Sequence, residues 1–132
     1  TAAALGTALK SRPELQDLDL RLFDTAVGDG TAEALGRSVS VLSKLTKAKI
    51  SLYNTKLTDG GGAALATGLN RPELKDIDLS FQDTLVADST AVALGTALKS
   101  CGKLEKVDIC LYSTQLTDAG GEALLAGLIG KE

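Results

Sequence analysis

The chain has 132 residues, of which 44% are apolar, and its 17 acidic and 14 basic residues give a formal net charge of −3. No run of Lys or Arg occurs, which argues against the clustered basic surface that nucleic-acid binding requires. Histidine is absent, and the two cysteines, Cys101 and Cys110, follow no paired-ligand spacing, so the usual zinc sites are excluded. We expect both thiols to be free, because Cys101 is predicted to end a helix and Cys110 to lie in a strand.

The first predicted elements are a helix over residues 1–10 and a strand near residues 16–23. Leucines on one face indicate the helix, and Pro13 prevents it from continuing. The strand is predicted because apolar residues alternate with charged ones. A turn is expected at Asp24, and Asp29 is predicted to cap the second helix.

The same order of strand, turn and helix follows three more times. Strands are predicted near residues 46–53, 75–82 and 105–112. The Asp before each following helix is predicted to be its N-cap; these are Asp59, Asp88 and Asp118. Strand alternation predicts a buried apolar side on a parallel sheet, made by Leu18, Leu20, Leu22, Ala48, Ile50, Leu52, Ile77, Leu79, Phe81, Val107, Ile109 and Leu111.

The chain repeats with a period near 30 residues. RPELQDLDLRLFDT (12–25) returns as RPELKDIDLSFQDT (71–84), identical at nine of fourteen positions and 59 residues further on. LYNTKLTDGGGAALATGL (52–69) likewise returns at 111–128 with twelve of eighteen positions identical. A fixed period of this size is typical of a solenoid, in which each unit buries its apolar face against its neighbours. We therefore predict one continuous array over residues 1–132, built from a duplicated pair of repeats.

The strand motifs resemble those of a known family. LQDLDL (15–20), LKDIDL (74–79) and LEKVDI (104–109) are similar to the LxxLxL opening of leucine-rich repeats. The continuations LTDGGGAALATGL (57–69) and LTDAGGEALLAGL (116–128) resemble the helical half of the ribonuclease-inhibitor-like class. The resemblance covers essentially the whole chain. It implies an α/β solenoid with a curved parallel sheet of four strands on the concave side and helices on the convex side.

One departure from that family concerns the corner after each strand. The family usually has Asn or Cys three residues after the last strand leucine, followed two residues later by Leu. This chain instead has Phe23, Tyr53, Gln82 and Tyr112, followed by Thr25, Thr55, Thr84 and Thr114. The usual Asn ladder is therefore absent. The Thr hydroxyls are expected to bond the backbone of the turn.

Outward charged residues are predicted to form two columns, because parallel strands place equivalent side chains about 4.8 Å apart. The first column is Asp17, Lys47, Asp76 and Lys106, and the second is Asp19, Lys49, Asp78 and Asp108. In one interpretation, opposite charges on adjacent strands support strand pairing and register. In the other, the charges meet a complementary partner. Asp78 beside Asp108 breaks the alternation of sign and draws attention to that spot.

A third column contains three of the four aromatic residues: Phe23, Tyr53, Gln82 and Tyr112. If strand alternation continues, these side chains lie at the rim of the sheet, where exposed rings are typical of a binding hot spot. Alternatively, the rings fold over the corner and fill the space of the missing Asn ladder. Both interpretations remain open at this point.

An enzyme is not expected. No histidine can serve as a base for a Ser, Thr or Cys nucleophile. Asp17 and Asp19 lie on an open sheet with nothing to desolvate one of them. Glycines at 60–62 and 120–121 precede helices but lack the phosphate-loop pattern. One Asp per repeat is too widely spaced for a calcium cage, so we expect no catalytic residue, metal or cofactor.

The expected function is non-catalytic protein–protein recognition, or scaffolding, through the concave sheet and its rim. The candidate partner-binding residues are Phe23, Tyr53, Gln82, Tyr112, Asp19, Lys49, Asp78 and Asp108. The expected partner is a protein, and neither nucleic acid nor membrane is expected to bind. The alternative is a structural protein that stacks end to end as a homo-oligomer through its terminal strand edges.

The repeats at both ends have the same consensus sequence as the middle repeats, and neither end has an atypical capping repeat. We therefore expect the array to belong to a longer array or to an oligomer. The sequence contains no signal peptide and no apolar run long enough to span a bilayer, so a cytoplasmic location is expected.

Overall fold

The computed structural model describes residues 2–129 as an α/β arrangement of repeated strand and helix units. Helices and strands alternate along these residues. In chain order they are α1 (Ala2–Lys10), β1 (Asp17–Arg21), α2 (Asp29–Ser40), β2 (Lys47–Ser51), α3 (Asp59–Gly68), β3 (Asp76–Ser80), α4 (Asp88–Ser100), β4 (Lys106–Cys110) and α5 (Asp118–Leu128).

The four strands form one parallel sheet in the order β1-β2-β3-β4. The register places each residue beside its equivalent in the next repeat, as in Asp17↔Lys47, Lys47↔Asp76 and Asp76↔Lys106. This confirms the predicted parallel sheet and its columns of equivalent residues. Apolar residues alternate with charged ones, so one face of the sheet is apolar and the other carries charge.

The core lies between the sheet and the helices. Ile50, Ile77 and Leu79 on the two inner strands, and Phe81 directly after β3, are 0–1% exposed. The prediction that all twelve inward residues are buried is wrong for five residues that lie on, or directly after, the outer strands and are only half-buried: Leu20, Leu22, Val107, Ile109 and Leu111. The physical reason is that β1 and β4 each have a strand neighbour on one side only.

The helices pack in a row, and within residues 2–129 each contacts only the helices before and after it. Glycines allow this close approach. A Cβ at Gly36 would lie 2.6 Å from the carbonyl oxygen of Ala64, and one at Gly68 would overlap the backbone of Gly36. Since no real Cβ fits such distances, α2 and α3 are in backbone contact at this crossing.

Each strand ends in a tight corner fixed by a threonine. The hydroxyls of Thr25, Thr55, Thr84 and Thr114 each donate to a carbonyl three residues earlier at 2.6–2.8 Å. Each also accepts a longer bond from the amide two residues later. The predicted structural role of the Thr column is thereby confirmed.

The Asp column does not cap its own helices, so that prediction is wrong. The helices begin at the Asp itself, the N-cap is the residue before it, and no N-cap side chain makes a capping bond. Instead, the carboxylates of Asp29, Asp59 and Asp88 reach into the next repeat. Asp29 accepts from the amide and hydroxyl of Thr58, and Asp88 accepts likewise from Thr117. The amides before α3 and α5 are therefore satisfied by the preceding unit.

Asp59 makes the most extensive of these links. Its carboxylate accepts from the amides of Ala87 (2.8 Å), Ser89 (3.2 Å) and Thr90 (2.9 Å), and from the Thr90 hydroxyl (2.8 Å). Burial raises the pKa of Asp59, but these hydrogen bonds outweigh it and hold the pKa below its usual value. The pKa of Asp88 is also lowered, by the hydroxyl and amide of Thr117.

Arg71 supplies a further link between repeats. Its side chain is buried, and Nη1 donates to the carbonyl oxygens of Val39 (2.7 Å) and Leu42 (2.8 Å) at the end of α2. Each of these carbonyls also accepts a backbone amide, so Arg71 adds a second, charged bond to the helix terminus. Its equivalent in the first repeat, Arg12, is exposed.

Candidate functional site

The charged face of the sheet carries the side chains predicted to bind a partner. We call Asp17, Lys47, Asp76 and Lys106 the first charged row, and Asp19, Lys49, Asp78 and Asp108 the second charged row. Six of these side chains are exposed, whereas Asp76 and Asp78 on β3 are half-buried. Both rows run across the strands, so each position along a row steps to the next repeat.

Ion pairing on this face is sparse. Within residues 2–129, the single ion pair joins Arg21 Nη2 to Asp19 Oδ2 at 3.0 Å, and both lie in β1. The hydrogen bond from Arg21 lowers the pKa of Asp19 and raises that of Arg21. No ion pair crosses from one strand to another in this part of the chain, although opposite charges are neighbours in the register. The charges of adjacent strands still act on each other, since Lys49 on β2 contributes to the lowered pKa of Asp19 on β1. Both interpretations of the charged columns therefore stay open.

A shallow depression of about 180 Å³ lies in the middle of this face. Its lining includes Ala48, whose side chain lies on the opposite, buried face of the sheet. Charged residues of both signs surround it: Asp17, Lys47, Lys49, Asp76, Asp78 and Lys106. The charges are therefore arranged around a concavity.

The third column, which we call the aromatic row, divides into two parts. Phe23 and Tyr53 are half-buried and stacked, with ring centroids 4.6 Å apart and an angle of 5° between the rings. Tyr112 is 69% exposed. Gln82 lies between the two tyrosines in sequence order, and its Oε1 is buried without a partner in the described residues. The first two rings thus pack on each other, and the last one projects into solvent.

Backbone pairing continues past the strands and holds the aromatic row in line. The amides of Asp24, Asn54 and Asp83 donate to the carbonyls of Tyr53, Gln82 and Tyr112 at 3.0–3.4 Å. The spacing of the sheet therefore extends to its rim. These three carbonyls are held in position because each accepts a bond from the repeat before it.

A row of polar turn residues lies beside the aromatic row, and the sequence analysis predicted only its first member, the turn at Asp24. Asp24, Asn54, Asp83 and Ser113 all have positive φ, between 53° and 58°, and all are exposed beside the aromatic row. Asn54 Nδ2 donates to Asp24 Oδ1 at 2.7 Å. The available signal was the recurrence of Asp or Asn at equivalent positions, because these residues tolerate left-handed backbone better than others.

Neither a metal-ligand group nor an open phosphate site is found in the described residues. No group of three or more Cys, Asp or Glu in residues 2–129 could hold a metal ion. The carboxylate of Asp29 lies against Gly61, and that of Asp88 against Gly120. An internal anion therefore already occupies each glycine-containing helix N-terminus considered as a phosphate site. Cys101 is buried, Cys110 is half-buried, and both are thiols rather than members of a disulfide, as predicted.

Comparison with known proteins adds no identification, since no family model matches the chain and no curated protein is significantly similar to it. Among residues 2–129, none of the helices has the length and apolar character needed to cross a membrane.

Proposed function

We propose that this chain is a non-catalytic recognition module that binds a protein partner through the charged face of its sheet and the aromatic row. The observation that carries the proposal is the open, ordered set of charges on that face, of which only Asp19 forms an ion pair in the described residues. Charged groups that find no partner within the protein are available to one outside it. Tyr112, exposed at the rim, adds the kind of ring that anchors interfaces.

The proposed architecture is a leucine-rich-repeat solenoid of the ribonuclease-inhibitor-like class. Two observations support it. Helix contacts join only consecutive helices of the described chain, which is the pattern of a one-dimensional array. Packed helices also lie about 8–10 Å apart, against about 4.8 Å for strands, so a row of five helices is wider than a sheet of four strands. Joining the two layers requires curvature with the sheet on the inner, concave side.

A capture experiment tests the recognition function. The protein is immobilised as wild type, as the Tyr53→Ser/Tyr112→Ser variant, as Lys49→Glu/Asp78→Lys, and as the helix-face variant Glu33→Lys/Arg37→Glu. Proteins that bind the sheet face should be retained by the wild type and by the helix-face variant. The amount retained by each sheet variant should be at least tenfold lower. If the helix-face variant alone loses them, the binding surface is on the helices and the proposal is wrong.

End-to-end association is the second candidate. The half-buried apolar side chains of β1 and β4 favour it, because their equivalents on the inner strands are covered by a neighbouring repeat. Strand edges with unpaired backbone groups are also templates for adding strands. Light scattering at low micromolar concentration tests this candidate. A mass that rises with concentration supports association through the ends, and a monomer at every concentration contradicts it.

A further inference from the structure

The first charged row alternates in sign from strand to strand. Its order is acidic, basic, acidic, basic, from Asp17 on β1 to Lys106 on β4, and its charges sum to zero. None of its four members forms an ion pair in the described part of the chain. A neutral row has little long-range attraction for a charged partner. What distinguishes this row is its order and spacing.

The spacing of the charges in this row indicates whether a partner segment binds it as a helix or as an extended chain. Successive charges are one strand apart, about 4.8 Å. Side chains on one face of a helix recur about every turn, or 5.4 Å, whereas those on one face of an extended peptide recur about every 6.6–6.8 Å. Over three steps the helix differs from the row by about 2 Å and the extended chain by about 6 Å. Long, flexible charged side chains can bridge a mismatch of about 2 Å, but not one of about 6 Å.

We propose that the occupant of the sheet face is a helix of the partner protein that lies across the four strands. Its side facing the sheet carries charges of alternating sign on successive turns, basic over β1 and β3 and acidic over β2 and β4. This inference rests on the proposed recognition function and specifies its partner. The depression around Ala48 lies beneath the middle of such a helix, between Lys47 and Asp76.

The second charged row adds a constraint at one end. Asp78 and Asp108 are register neighbours on β3 and β4, so two acidic groups follow each other there. Like charges on neighbouring strands are unfavourable without a counter-charge. The docked helix therefore presents Lys or Arg to this pair. At the β1 end of the row, Arg21 already neutralises Asp19, so a basic residue of the partner helix is less strongly attracted there.

Two synthetic helical peptides of the same composition test the inference. The alternating peptide carries Lys, Glu, Lys and Glu on four successive turns of one face, and the block peptide carries Lys, Lys, Glu and Glu. The block peptide makes as many like-charge as opposite-charge contacts with the first charged row in either direction. We expect the alternating peptide to bind about tenfold tighter at low salt, since tenfold corresponds to only about 1.4 kcal/mol shared among four pairs. In 1 M salt, where the Debye length is about 3 Å, the preference should disappear.

A charge exchange on the protein provides the matched control. Asp17→Lys/Lys106→Asp keeps the composition and changes the first charged row to a block pattern, and both positions are exposed. This variant should prefer the block peptide. Lys47→Asp/Asp76→Lys produces the opposite block order and serves as a second variant should the first not fold, as judged by circular dichroism. A proline-containing version of the alternating peptide, which cannot form a helix, should bind no tighter than the block peptide.

Several results would overturn the inference. They are equal affinity of the two peptides for the wild type, no binding of the alternating peptide at millimolar concentration, a preference unchanged by the charge exchange, and tight binding of the proline-containing peptide. These failures remain distinct from failure of the recognition function. If the sheet variants lose captured proteins but the peptides are not discriminated, the sheet binds a partner of another shape. If the sheet variants also lose nothing, both proposals fail.

Discussion

At the scale of single residues, carboxylates of one repeat satisfy backbone amides of the next. Asp29, Asp59 and Asp88 each bond to residues 28–31 positions further along the chain. A negative charge at a helix N-terminus is also favoured by the helix dipole. These bonds take the place of an Asn ladder in joining neighbouring units. The coupling is therefore electrostatic and depends on the carboxylates being ionised.

Removing the charge of Asp59 should weaken the protein. Asp59→Asn keeps the size of the side chain but loses charged hydrogen bonds, and we expect a loss of about 1–3 kcal/mol in the free energy of unfolding at pH 7. The matched control is Asp118→Asn. Asp118 also begins a helix, but it is exposed and its carboxylate makes no hydrogen bond or ion pair within residues 2–129. Urea unfolding of the two variants should show a larger loss for Asp59.

The pH dependence of this contribution follows from the sign of the pKa shift. The folded pKa of Asp59 is lowered, so its stabilisation is complete above the unfolded pKa, about 3.9, and is lost as pH falls through the folded pKa. Asp88 is shifted in the same direction. The difference in stability between wild type and Asp59→Asn should therefore be constant near neutral pH and shrink below about pH 4. A difference that grows on acidification would contradict the assignment.

The buried guanidinium of Arg71 gives a second test at this scale. Arg71→Met should remove two buried, charged hydrogen bonds and cost about 1–3 kcal/mol, although the carbonyls of Val39 and Leu42 each keep a backbone amide donor. Arg12→Met, at the exposed equivalent position, should change stability by no more than about 0.5 kcal/mol. Chemical denaturation measures both. Equal losses would show that the two carbonyl bonds contribute nothing specific.

At the scale of elements, the sequence predicted the strands better than it predicted the helix starts. Alternation of Leu, Ile and Val with charged residues predicted the exposed face and the strand positions to within two residues, and the repeat predicted the parallel order. Helix starts were predicted one residue late, because Asp is a frequent N-cap and nothing in a single repeat reveals that its carboxylate bonds to the next one. Arg71 was missed for the same reason: its two acceptors lie 29 and 32 residues earlier in the sequence.

Helix packing depends on two kinds of glycine in the same helix. In α5, a Cβ at Gly127 would overlap the backbone of Gly95, whereas one at Gly121 would meet no atom within 4 Å. Gly121→Ala should stabilise the protein by about 0.5–1 kcal/mol, because alanine loses less backbone entropy in a helix. Gly127→Ala should destabilise it by about 1–3 kcal/mol through overpacking. Thermal unfolding should thus shift in opposite directions, and shifts of the same sign would contradict the crossing of α4 and α5.

At the scale of the whole molecule, end-to-end stacking meets a geometric obstacle. In the described chain a helix precedes β1 and another follows β4. If β4 of one copy paired directly with β1 of a second copy, α5 and α1 would both need the one helix position between them. Wider helix spacing makes this conflict worse. We therefore expect copies that meet through their ends to make helix contacts, and we place recognition by the sheet face ahead of self-association.

The sequence predicted where the charged residues of the candidate site lie, but not which of them form ion pairs. Sequence alternation placed all eight charged side chains on one face, and the register confirms that placement. The orientation of the aromatic row required the structure, because rings of similar type take different positions: Phe23 and Tyr53 stack, whereas Tyr112 projects. A periodic sequence predicts which residues are neighbours. It does not predict whether neighbours of opposite charge touch, since that depends on side-chain rotamers.

Carboxylate footprinting by mass spectrometry tests the central claim, that the charged face of the sheet is the binding surface. The protein is modified with a water-soluble carbodiimide and an amine, alone and in complex with a partner obtained by capture. We predict that labelling of Asp76, Asp78 and Asp108 falls severalfold in the complex. Labelling of Glu33 and Glu122, which are exposed on the helices, should stay unchanged. Protection of the two helix glutamates with unchanged labelling of the three sheet aspartates would contradict the account.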